Sequence, residues 1–144
     1  MVASLLGLCA CNAVLGIEDV PEHECQTTID CAGNELNRTC SALRRCVAEY
    51  QVLGGSPLNK RKEPTLGDNI VGDAPVGATL GIVCQTALGD QVDGRTMRDE
   101  NNQPAGPFTT WDRLDDDTYV YDGFMNTPRV VQGYSPGIKH CSGE

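Results

Sequence analysis

Ala78-Thr79-Leu80-Gly81-Ile82-Val83-Cys84-Gln85 is the stretch that decides the fold. Ala78, Leu80, Ile82 and Cys84 alternate with Thr79, Gly81, Val83 and Gln85. A repeat of two puts every second side chain on the same face, which is the signature of a strand with one buried face. Turn pairs surround the stretch at short intervals: Gly67-Asp68, Gly72-Asp73, Gly89-Asp90, Asp93-Gly94 and Asp122-Gly123. Glycine supplies positive φ and aspartate bonds back to its own backbone, so such pairs close tight turns. Short strands with frequent turns predict an all-β fold, a small barrel or sandwich, and no segment of this half has helical periodicity.

The rest of the chain bounds that fold. It has 144 residues and a formal net charge of −9, with 8 Cys, 16 Gly and 8 Pro but only 1 Trp, 4 Tyr and 2 Phe. The length allows one domain, or one small domain with a cysteine-stapled segment. Excess negative charge makes nucleic acid and anionic membrane surfaces poor partners. No apolar run approaches the roughly 18–20 residues of a spanning helix. Many cysteines beside few aromatics predict a secreted protein whose modest core is reinforced by disulfides.

Residues Met1 to Ala10 are apolar or small and carry no charge, as in the hydrophobic part of an export signal. Leu8-Cys9-Ala10-Cys11 resembles a bacterial lipobox, and the run that follows it, Cys11 to Asp19, is similar to the mature start of myxobacterial lipoproteins. The resemblance implies cleavage before Cys11, a diacylglyceryl group on its thiol, and a tether over 11–24. Each buried CH₂ of such an anchor contributes about 0.8 kcal/mol, so two or three acyl chains hold firmly. The competing reading is a plain N-terminal segment with two structural cysteines. Export leaves Cys25, Cys31, Cys40, Cys46, Cys84 and Cys141, an even set suited to full pairing in an oxidising compartment.

Four of these form a compact segment over 25–46, spaced C-x5-C-x8-C-x5-C without hydrophobic periodicity. Loops this short give each bridge roughly 2–3 kcal/mol if the stabilisation is chain entropy. The pairing order is open, with interleaved pairs favoured. Zinc prefers closer cysteine pairs, so no metal is expected. Asn37-Arg38-Thr39 matches a glycosylation sequon and in a bacterial lipoprotein is a chance match.

Residues 47–57, with Gly54-Gly55-Ser56-Pro57, read as a linker. Beyond them Leu58-Asn59-x-Arg61-x-x-Pro64 and Ile70-Val71-Gly72-x-x-Pro75-x-Gly77-Ala78-x-Leu80-x-Ile82-Val83-Cys84 resemble the opening of a bacterial SH3 domain. Trp111-Asp112-Arg113-Leu114 and Tyr119-Val120-Tyr121-Asp122 resemble that family's later strands. Lys60 and Lys62-Glu63 depart from the family's pattern, as does the acidic run Asp115-Asp116-Asp117. The resemblance implies a small SH3-like barrel over 58–141 following the disulfide-rich segment. A cysteine on an early strand and another at the domain end is similar to secreted cell-wall domains, which implies a Cys84–Cys141 bridge.

Six aromatic residues fall between Phe108 and Tyr134. Tyr119 and Tyr121 share a strand face, and Trp111 on the preceding element can lie across from them. Asp112, Asp115, Asp116, Asp117 and Asp122 would rim these rings. Trp111, Tyr119, Tyr121, Asp122 and Phe124 are therefore the candidate ligand-binding residues, for a partner with apolar surface and amines. The rival assignment puts Trp111 and one tyrosine in the core.

Catalysis is not expected. His23 and His140 lie in separate segments, each cysteine has another use, and no raised-pKa carboxylate pocket can be read from spacing. No cofactor is implied. The expectation is an exported, outer-membrane-anchored lipoprotein that binds peptidoglycan or an envelope protein. The alternatives are a structural or protein-protein module without wall affinity, and an accessory targeting domain of a cell-wall hydrolase complex.

Overall fold

The computed structural model describes residues 25–32, 39–128, 130–131 and 133–141. The expected signal, the Cys11 lipidation site, the tether and the sequon asparagine lie outside the described residues. Nine strands are described: β1 (Thr39–Cys40), β2 (Cys46–Gln51), β3 (Leu58–Arg61), β4 (Ile70–Ala74), β5 (Thr79–Thr86), β6 (Thr96–Arg98), β7 (Pro104–Pro107), β8 (Trp111–Leu114) and β9 (Tyr119–Tyr121). Two short 3-10 turns, Thr28–Cys31 and Asp122–Phe124, complete the elements. Every strand pairing is antiparallel; β6 and β7 form a separate hairpin, and the other seven form a sheet in the order β1-β2-β5-β8-β9-β3-β4. The all-β expectation is met.

The linker expected over 47–57 is corrected. β2 runs to Gln51 and pairs with β5, Ala48 opposite Ile82 and Tyr50 opposite Leu80. Val47, Ala48 and Val52 are buried, so this segment is part of the sheet's hydrophobic layer. Its short apolar positions, broken by Glu49 and Gln51, hid the strand; only 53–57 remains as a connection, and Gly54 there has φ of 109°.

The core joins Val52, Leu58, Ala74, Ile82, Leu114, Val120, Met125 and Ile138. β5 supplies its centre, but its alternation fails beyond Ile82. The register against β8 shifts between Ile82 and Cys84, so Ile82 faces Leu114 while Cys84 faces Arg113. A bulge of this kind leaves an extra residue unpaired and re-aims the side chains after it. Cys84, Gln85 and Thr86 are consequently all buried.

All six described cysteines are bridged. Cys25–Cys40 and Cys31–Cys46 are interleaved, each closing a separation of 15 residues. Cys84–Cys141 closes 57 residues, for which chain entropy gives about 4 kcal/mol. That last bridge fixes a C-terminal strap, 133–141, along β5. The Gln85 N–H donates to the Lys139 carbonyl (2.8 Å) and the Cys141 N–H to the Gln85 carbonyl (2.8 Å).

Candidate functional site

β8 and β9 bring Trp111 directly opposite Tyr121. The Tyr121 ring is the hub of an aromatic cluster, edge-on to Phe108 (5.5 Å between centroids), Trp111 (5.6 Å) and Phe124 (5.7 Å). Such contacts each contribute about 0.5–1.5 kcal/mol beyond burial. Their polar atoms are satisfied internally. Trp111 Nε1–H donates to the Asp90 carbonyl (2.9 Å), and the Tyr121 hydroxyl lies 2.9 Å from Asp93 Oδ1 and 3.1 Å from the Phe108 carbonyl. Burial, and then the Asp93 carboxylate, push the Tyr121 phenol well above its ordinary value. The loop over Trp111 tolerates no side chain at Gly89, where a Cβ would lie 2.1 Å from the indole.

The cluster forms one wall of a pocket of about 210 Å³. The opposite wall is the β2–β3 connection, from Leu53 through Gly54, Gly55 and Ser56 to Pro57, with Leu58, Asn59, Arg61, Leu66 and Val92 completing it. Trp111 and Tyr121 are only 1% and 2% exposed, so they form its floor; Leu53 and Leu66, 49% and 48% exposed, form its rim. Arg61 is nearly buried and bonds the Gly67 carbonyl and Asn69 Oδ1, which directs its guanidinium into the 62–69 loop. The pocket therefore offers ring surface, aliphatic side chains and a glycine-rich backbone, suited to a small apolar or amphipathic group.

The candidate aromatic residues are placed differently from one another. Trp111 and Tyr121 are core residues touching the pocket from below, because their hydrogen bonds and ring contacts draw them inward. Tyr119 is half-buried and stands away from the pocket, opposite Arg61 on β3 and Arg113 on β8. Phe124 does line the pocket, and the Arg95 guanidinium lies 5.1 Å above its ring centroid.

The acidic rim is also corrected. In the β8–β9 turn Asp117 accepts from Arg45 (2.5 Å) and Arg113 (2.8 Å), while Asp116 pairs with Lys60. Burial pushes both carboxyls up, but bonds from these cations, and from Thr118 to Asp116, outweigh it and hold both below the ordinary aspartate value. Asp112 and Asp122 are not a rim at all: they are 0% and 3% exposed, beneath the sheet's surface. Gln85 Nε2–H₂ donates to Asp112 Oδ1 (2.7 Å) and Asp122 Oδ1 (2.9 Å), with Ser135 Oγ at 3.2 Å. Thr127 Oγ1–H donates to Asp122 Oδ1 (2.6 Å). Burial, then the Asp122 charge, push the Asp112 carboxyl well above its ordinary value, and burial raises Asp122 to about 6.

Asp122 also edges a second, wider groove of about 580 Å³ against the β6–β7 hairpin, where Arg95, Arg98 and Phe108 stand. The sulfurs of Cys25, Cys31 and Cys46 lie within 4.8 Å of one another, yet each is already in a disulfide and has no thiolate to offer a metal. Sequence reasoning missed the contributions of Leu53, Arg61, Leu66 and Gln85. Gly54-Gly55-Ser56-Pro57 was the available signal for the pocket's second wall, but it also fits an ordinary connection. No family model matches the chain, and no curated protein matches its sequence.

Proposed function

We propose that this chain is a non-catalytic binding protein of the cell envelope, exported and lipid-anchored through Cys11, whose SH3-like sheet domain takes a small apolar group of peptidoglycan or an envelope protein in the Trp111–Tyr121–Phe124 pocket. The observation that carries the reading is the pocket: an aromatic floor facing a glycine-rich connection, with exposed Leu53 and Leu66 at its mouth. Three disulfides among the described residues fit an oxidising compartment. The motif order from Leu58 to Asp122 supports the SH3-like assignment, and with it a wall-associated ligand. A net charge of −9 favours a partner that carries amines over an anionic one.

Co-sedimentation with purified peptidoglycan tests this. The native protein is expected in the pellet. Leu66→Ser, at an exposed rim position, is expected to shift it towards the supernatant while leaving the thermal transition unchanged. Native protein found wholly in the supernatant contradicts wall binding.

A second reading, a structural or protein-protein module without wall affinity, is favoured by the burial of Trp111 and Tyr121. It predicts that Leu66→Ser changes neither sedimentation nor stability. Mass spectrometry of the mature N-terminus tests the anchor separately: a diacylglyceryl group on Cys11 is expected, and a retained Met1 contradicts it.

A further inference from the structure

We propose that Asp112 and Asp122 share one proton at neutral pH, and that this carboxyl–carboxylate pair is a pH-governed clasp for the C-terminal strap. Both carboxyls lie within 3 Å of one nitrogen, Gln85 Nε2. The orientation of that amide is set from the strap, because the Ser135 N–H donates to Gln85 Oε1 (2.7 Å). The Gln85 N–H₂ must then face the two aspartates. Asp112 Oδ2 is fully buried, and no donor among the described residues reaches it. As a bare carboxylate oxygen it would sit desolvated and unbonded, which is costly for a charged group. With a proton on Asp112 the two carboxyls hydrogen-bond each other, Asp112 donating to the neighbouring Asp122. Asp122 is the natural anion of the two: Thr127 and Gln85 both donate to it.

Among the described residues the surrounding charges leave the pair without a salt-bridged cation. Arg113, on β8 itself, is engaged by Asp117 in the surface turn. On the β6–β7 side Arg95 is held by Asp93 and the Gly123 carbonyl, and Arg98 by the Asn102 carbonyl. On the strap, His140 stacks on Tyr134 (3.4 Å) and Lys139 lies beside the Gln85 pairing. Arg129 lies outside the described residues. Among the described residues no salt bridge reaches Asp112 or Asp122. Two like charges this close in a dry site cannot both ionise cheaply, so one proton is retained.

The consequence has a definite sign. An unfolded aspartate loses its proton near about pH 3.9. In the folded chain both protons leave later, Asp122 at about 6 and Asp112 likewise well above its ordinary value. Folding and strap closure therefore take up protons above about pH 4, and the pair's stabilisation, complete at and below that pH, is lost as pH rises. Groove-side exposure of Asp122, though only 3%, gives the proton a route to solvent.

Amide hydrogen exchange of Ser135 and Cys141 across about pH 5–9 tests the clasp in the intact chain. Protection, corrected for intrinsic exchange, is expected to fall with rising pH by up to about tenfold per unit for each proton linked to opening. Asp112→Asn keeps a donor towards Asp122 without a titrating proton, and is expected to flatten that fall and to be better protected than the native chain above pH 8. Protection independent of pH in the native chain, or an equal slope in Asp112→Asn, overturns the proposal. Should Asp112→Asn not fold, carboxyl carbon NMR of the native protein decides. One aspartate titrating near pH 6 and another still protonated above it support the shared proton; two aspartates both titrating near pH 4 overturn it.

Discussion

The segment 25–46 and the sheet domain that follows it are held together by different means. In the first, the buried cluster consists of Cys25, Cys31 and Cys46 with Cys40 packed against them, and Ile29 and Leu43 are left exposed. Covalent cross-links stand in for apolar area. In the second, eight buried apolar residues, an aromatic cluster and a polar knot around Gln85 share the interior with the Cys84–Cys141 disulfide. A short stapled segment depends on a few bonds that act mainly through the unfolded chain, whereas the sheet depends on packing that a single truncation disturbs.

The largest expected effect comes from breaking the second region. Tyr121→Ala removes the hub of three ring contacts and should cost about 3–5 kcal/mol, seen as loss of the cooperative thermal transition. Gly89→Ala should disturb the same cluster by driving Trp111 from its seat, and tryptophan fluorescence should report it. Cys84→Ser comes next, at about 4 kcal/mol as an upper-range figure. Denaturant unfolding checks it, and equal stability before and after reduction would contradict the covalent contribution.

Breaking the first region should be more local. Cys31→Ala opens one 15-residue bridge, worth about 3 kcal/mol to the stapled segment. Near-ultraviolet circular dichroism of Trp111 should survive it, because the neighbours of that ring, Tyr121, Asp90 and Gly89, belong to the sheet domain. A collapse of the tryptophan signal would show that the two regions fold as one. The smallest effect is expected at the surface turn joining them. Arg45→Ala loses the bonds to the Asp115 carbonyl and to Asp117, the latter half-exposed and still held by Arg113, and should cost about 0–1 kcal/mol, less at high salt.

The two regions also differ in how legible they were. Cysteine clustering marks the first as a stapled segment but leaves its pairing order open, and the interleaved bridges come from the fold. In the second, the alternation from Ala78 to Cys84 announced a strand and the turn pairs announced the all-β class. The register shift after Ile82 was not legible, since a bulge depends on the partner strand. That shift turns Gln85 inward, so the Asp112–Gln85–Asp122 knot could not be foreseen, and two aspartates read as a charged rim are buried. Of the six aromatic residues between Phe108 and Tyr134, Phe108, Trp111, Tyr121 and Phe124 cluster, while Tyr119 and Tyr134 stand apart, a division that local sequence does not carry. Hydrogen bonds from distant loops, at Asp90 and Asp93, settle that division for Trp111 and Tyr121.

The most direct measurement of the functional claim is an amide correlation NMR titration of the intact protein with solubilised peptidoglycan fragments. Binding in the aromatic pocket predicts shifts confined to the 53–59 connection, Leu66, Phe124 and the Trp111 indole N–H. Absence of any shift at saturating fragment, or shifts confined to the 96–107 hairpin and its groove, would contradict it.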